Sequence, residues 1–95
     1  MPNLKKNFTI KSKVWRWPGD GGWHFVTLDK KLSENIRKVY TKGFVKINAT
    51  IGKTTWATSL FPHKQAGYLL CISKKVRKTE GILEGDEVKI KIVLQ

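Results

Sequence analysis

Two lysine pairs, Lys30-Lys31 and Lys74-Lys75, each directly follow a residue able to cap a helix, Asp29 and Ser73. Ammonium groups in that position neutralise phosphate without reading sequence, and the first backbone N–H groups of a helix add anion affinity. Arg77 and Lys78 extend the second pair. Lys30, Lys31, Lys74, Lys75, Arg77 and Lys78 are therefore the candidate nucleic-acid or polyanion contacts, set against the plain alternative of a solvated lysine face.

A second constellation surrounds Pro18-Gly19-Asp20-Gly21-Gly22, where Trp15, Arg16 and Trp17 precede the turn and Trp23, His24 and Phe25 follow it. Glycine backbone can approach a ligand closely, and exposed indoles stack on flat rings. Arg16, Trp17, Trp23 and His24 thus form an alternative small-molecule site. Packing of the four tryptophans into the core is the competing account, because large aromatics are costly to leave in water. The turn itself precedes a strand and lacks a Gly-Lys-Ser/Thr ending, so it is no phosphate loop of the nucleotide-binding kind.

Little else in the chain suggests bond-breaking chemistry. His24 and His63 are the only histidines and Cys71 the only cysteine, which leaves no set of three or four metal ligands and no disulfide. His24, Asp20 and Ser59 lack the spacing of a nucleophile with its base. Cys71 lies in the apolar run Tyr68 to Ile72 and reads as a buried thiol. The expectation is a binding protein rather than an enzyme, with no catalytic residue, metal or cofactor.

The elements that must position these groups are short. Alternation predicts one strand over 7–17, another over 23–28, and a third carrying Val45, Ile47, Ala49 and Ile51. Further strands are expected over 54–61, closed by Pro62, over 68–72, and over 88–94. Leu32, Ile36, Val39 and Tyr40 make one apolar stripe of a helix over about 30–41, and Ser73 caps a short basic helical turn through Thr79. Six strands, one helix and a helical turn describe a small, mainly β barrel.

The chain also echoes itself. Val26-Thr27-Leu28-Asp29-Lys30-Lys31-Leu32 lies over Leu70-Cys71-Ile72-Ser73-Lys74-Lys75-Val76 at an offset of 44, and Val45 to Ile51 over Val88 to Leu94 at an offset of 43. Residues 1–95 then read as one domain with halves of about 7–52 and 53–95 and a pseudo-twofold internal repeat. Two such units close their sheet edges on each other. A monomer or a homodimer is compatible with this.

Nineteen Lys and Arg against seven Asp and Glu give a net charge of +12, which favours phosphate polymers and other anionic partners. The charge is segregated: residues 41–79 carry eight bases and no acid, while the turn over 80–88 carries four acids and no base. With no apolar stretch of membrane-spanning length, a cytoplasmic protein without a membrane partner is expected.

The second half resembles the swapped-hairpin, double-split barrels of AbrB-type regulators and the MazE and MraZ proteins, through Ile72-Ser73-Lys74-Lys75-Val76-Arg77-Lys78, Gly81-Ile82, Gly85-Asp86 and Val88-Lys89-Ile90. Ser73 departs from the proline usual there. The whole chain, over about 7–94, resembles the prokaryotic family called domain of unknown function 1905, through Trp15-Arg16-Trp17-Pro18-Gly19-Asp20-Gly21-Gly22-Trp23-His24-Phe25-Val26 and Thr54 to Pro62. That resemblance implies the double-split fold and no particular activity. The regulator likeness implies DNA contacts from Lys74, Lys75, Arg77 and Lys78. A protein-interaction domain is the remaining alternative.

Overall fold

The computed structural model describes residues 6–40, 43–63 and 67–95, so Lys5, the end of the expected first helix at residue 41 and most of the loop after His63 lie outside it. The fold is mainly β, built as one curled sheet of seven strands with two helices. In chain order these are β1 (Asn7–Lys13), β2 (Trp15–Arg16), β3 (His24–Thr27), α1 (Lys30–Val39), β4 (Val45–Ile51), β5 (Thr54–His63), β6 (Gly67–Cys71), α2 (Lys74–Glu80) and β7 (Glu87–Leu94). They lie side by side in the order β1-β7-β4-β5-β6-β3-β2, and every pairing is antiparallel.

The expected strand over 7–17 is two strands, which raises the count from six to seven. Lys13 ends the pairing with β7, and Trp15 begins the pairing with β3, so Val14 alone separates the two outermost strands of the sheet. A flat sheet cannot have its opposite edges one residue apart; the sheet has to curl. Side chains tie the seam, with Ser12 Oγ donating to Thr27 O at 3.2 Å and Trp15 Nε1 donating to Thr27 Oγ1 at 2.9 Å. Val14, nearly fully buried, gives its N–H to Asp86 and its carbonyl to the Gly85 N–H, both at 2.8 Å. The inward-facing alternate residues, among them Val26, Ile47, Leu60, Leu70, Ile90 and Ile92, fill the curl as one core.

β5 performs the same hand-over without a break. Leu60 is paired with Val45 of β4 and also with Leu70 of β6, and the strand continues through Pro62 to His63. The residues matched by the sequence echo also pair with each other: Val26 faces Leu70, flanked by Phe25 with Cys71 and Thr27 with Leu69, and Ala49 faces Ile92. Beyond β3 and β6 the match continues in the backbone, where Leu28 N donates to Tyr68 O and Ile72 N donates to His24 O, each at 2.9 Å.

Both helices begin where their caps predict. Asp29 accepts from Leu32 N at 2.6 Å, and Ser73 Oγ accepts from Val76 N at 3.3 Å. α1 ends at Val39, with Tyr40 as its C-cap, two residues short of the expected end; Ile36 is buried, Leu32 and Tyr40 pack against the core, and Val39 is exposed. α2 reaches Glu80, one residue beyond the expected turn, and stops at Gly81 in the left-handed region.

Candidate functional site

The glycine turn is held shut by Trp17 N donating to Trp23 O at 2.8 Å, and it lies against the start of α2. Between them is a hollow of about 260 Å³ walled by Gly21, Gly22, Trp23, His24, Lys74 and Arg77. A more open continuation, also bounded by Gly21, Gly22, His24, Lys74 and Arg77, adds Arg16, Leu83 and Glu84. Lys74 and Arg77 reach it together because residues three apart share one helix face. Arg16 arrives from β2, where strand alternation turns it away from Trp15 and Trp17, whose rings lie together at 5.9 Å.

Arg77 anchors the hollow. Its Nη1 lies 2.6 Å from His24 Nδ1 and 3.2 Å from Nε2, while Nε is buried without a partner among the described residues. His24 Nδ1 is also 2.6 Å from Gly22 O. Nδ1 can donate to that carbonyl or accept from the guanidinium, but not both. Among the described residues the one ion pair joins exposed Lys11 and Glu87 at 3.7 Å. Arg16, Lys74 and Arg77 therefore face the hollow without a carboxylate bound to them. Burial pushes the Cys71 thiol beneath it upward, and the Arg77 guanidinium offsets part of that rise.

Across Trp23 the surface changes character. An apolar groove of about 350 Å³ is lined by Trp17, Trp23, Phe25, Phe61, Pro62 and Leu69, together with His63. Trp17 is 41% exposed and Trp23 56% exposed. The rings are contiguous: Trp17 lies 6.0 Å from Phe25, Phe25 lies 6.5 Å from Phe61, and Phe61 lies 5.0 Å from exposed Phe44. Trp15 and Trp56 are half-buried; Trp56 packs on the core, whereas Trp15 lies against Trp17 and Phe25.

Trp23 holds its place because Gly21 has no side chain. A Cβ there would sit 2.9 Å from Trp23 Nε1, and the backbone at φ +97° favours glycine.

The six candidate anion contacts do not share one surface depression. Lys74 and Arg77 line the basic hollow, where they meet Arg16 and His24 from the alternative ligand set. Lys75 and Lys78 are exposed one position further round α2. Lys30 borders a separate hollow between β1 and α1, with Lys11, Thr27 and Asp29, and Lys31 lines neither. The convergence of Arg16 with α2 was hidden from sequence reasoning because 58 residues separate Arg16 from Lys74. The pairing of β2 with β3, which sets Arg16 opposite His24, and of β3 with β6 brings them together.

Residues 11–92 match the family described as a domain of unknown function (DUF1905). The chain belongs to that family. The DUF1905 match spans both walls of the basic hollow, from Arg16 to Arg77, and the aromatic groove between Trp17 and Leu69. A comparison with curated proteins finds no match. Among the described residues, no group of three His, Cys, Asp or Glu side chains is placed to hold a metal ion, and no helix is long and apolar enough to cross a membrane.

Proposed function

We propose that the protein is a small nucleic-acid-binding module that seats backbone phosphate in the hollow between the glycine turn and α2. One observation carries this reading: Arg16, Lys74 and Arg77, drawn from two distant parts of the chain, converge on one depression with no carboxylate paired to them among the described residues. Three like charges held together repel, and a polyanion relieves that repulsion while releasing its counterions. The net charge of +12 supplies the longer-range attraction. The protein acts in this reading by binding, with no catalytic step, and works in the cytoplasm.

The fold that supports this function is a pseudo-twofold, double-split barrel of the kind the AbrB-type regulators use. In support, β5 passes from β4 to β6 as β1 and β2 pass from β7 to β3, and the echoed residues Val26 with Leu70 and Ala49 with Ile92 pair across the sheet.

Titration of tryptophan fluorescence with a nucleic acid at several salt concentrations tests the reading. About three phosphate contacts give a log–log salt slope of about −2 on a single strand or about −3 on duplex DNA. Arg77→Ala and Lys74→Ala weaken binding about tenfold each, and Lys75→Ala and Lys78→Ala less. Absence of binding at low salt, or a triple Arg16, Lys74 and Arg77 alanine variant that binds as well as the parent, refutes it. Trp23, shared by the basic hollow and the apolar groove, also favours a second reading, a small anion with an aromatic end. In that case a mononucleotide binds as tightly as an oligonucleotide.

A further inference from the structure

From the aromatic groove beside the basic hollow we infer that the nucleic acid taken is single-stranded, with its bases stacked on Trp23 and Trp17 while its phosphates lie against Arg16, Lys74 and Arg77. This rests on the nucleic-acid reading of the hollow and adds the class of strand. Trp23 is the shared wall: one side borders the cationic depression, the other the apolar groove. A ligand lying across Trp23 must offer negative charge and a flat apolar ring within one residue's width. A nucleotide unit has that composition.

Duplex DNA does not offer it, because its base faces are covered by their neighbours and only edges and phosphates are presented. In a single strand each base has a free face, and stacking on an aromatic side chain tolerates any base. The groove holds more than one ring: Trp17, Phe25 and Phe61 follow one another at ring spacings of 6.0 and 6.5 Å, exposed Trp23 lines the same groove, and exposed Phe44 lies 5.0 Å beyond Phe61. Aromatic rings left in water beside three cations with no carboxylate paired to them among the described residues are matched by an anion that also covers rings, and a bare polyanion would leave them wet.

The test compares three probes of the full chain by fluorescence anisotropy or competition: a thymidine dodecamer, a hairpin duplex of equal phosphate count, and inorganic polyphosphate. The thymidine strand binds at least about tenfold tighter than the duplex, and it quenches indole emission where polyphosphate does not. Trp23→Leu keeps an apolar side chain without a ring and weakens the thymidine strand by about 5- to 150-fold per base unstacked, while polyphosphate affinity is unchanged. Trp23→Phe recovers part of the loss and guards against a folding defect. Equal affinity for strand and duplex, or a Trp23→Leu variant that loses all three probes alike, overturns the single-strand inference and leaves phosphate binding standing. Failure of all three probes to bind the parent protein overturns both.

Discussion

The start of α2 and the start of α1 occupy matching places in the two halves of the chain, and three of the residues around them differ in ways that decide their chemistry. Arg77 corresponds to Ser33, His24 to Tyr68, and Ser73 to Asp29 at the offset of 44. In both halves the helix residue meets the strand residue. Ser33, 3% exposed, accepts from Tyr68 N at 3.1 Å, and Tyr68 is buried. At the other place Arg77 meets His24 at the wall of an open depression. The same backbone scaffold therefore spends one contact on the core and the other on the surface. The caps reinforce the difference: Asp29 puts a carboxylate at the start of α1 beside Lys30, whereas neutral Ser73 leaves Lys74 uncompensated.

The largest effect that separates the two places is on stability. Gly67→Ala meets a backbone at φ +85° and would set a Cβ 2.5 Å from Ser33 Oγ. It costs about 1–3 kcal/mol from strain alone, seen as a lower urea midpoint, with the affinity of the folded fraction for polyphosphate retained. Ser33→Ala, which leaves the Tyr68 N–H without its acceptor, costs about 1–3 kcal/mol in the same assay. Arg77→Ala has the opposite signature, a loss of binding with the urea midpoint nearly unchanged. If Ser33→Ala weakens binding as much as Arg77→Ala, the division of labour between the halves is wrong.

Exchanging the caps gives smaller, reciprocal changes. Ser73→Asp keeps the cap but brings a negative charge to the basic hollow, and polyanion affinity falls a few-fold at low salt; Asp29→Ser leaves it within twofold, as an exposed charge is worth about 1 kcal/mol or less. Glu84→Gln, at the mouth of the hollow, shifts affinity upward by a similar small factor. The smallest effect concerns Cys71, which corresponds to Thr27. Its thiol is raised above the ordinary value of 9.0 by burial, so unfolding favours the thiolate. Its contribution to stability is complete below pH 9.0 and is lost as pH rises through the higher folded value. Iodoacetamide labelling at pH 8 is correspondingly slower folded than in urea.

Much of the fold was legible because caps and alternation are local. Asp29 and Ser73 marked both helix starts, and Val45 to Ile51 and Val88 to Leu94 read directly as half-buried strands. Val14 was not legible as a break, since alternation continues through it and only the change of partner from β7 to β3 divides the strand. Val39 fell on the apolar stripe yet is exposed, because the helix ends there and Tyr40 turns back to the core. At the site, the residue types were visible and their grouping was not. Along the chain Arg16 and His24 group with the tryptophans, and Lys74 and Arg77 with the lysine pairs; the β2–β3 and β3–β6 pairings put all four around one hollow.

β1 and β7 are neighbours along their whole length, and Leu94 N donates to Lys6 O at 2.8 Å, so the first and last strands end side by side. A short linker joining residue 6 to residue 95 would close these strands into a ring whose order has no privileged starting point. Reopened at the Gly52-Lys53 turn between β4 and β5, that ring would yield a permuted protein with β5 as its opening strand and β4 as its last, folded around the same core.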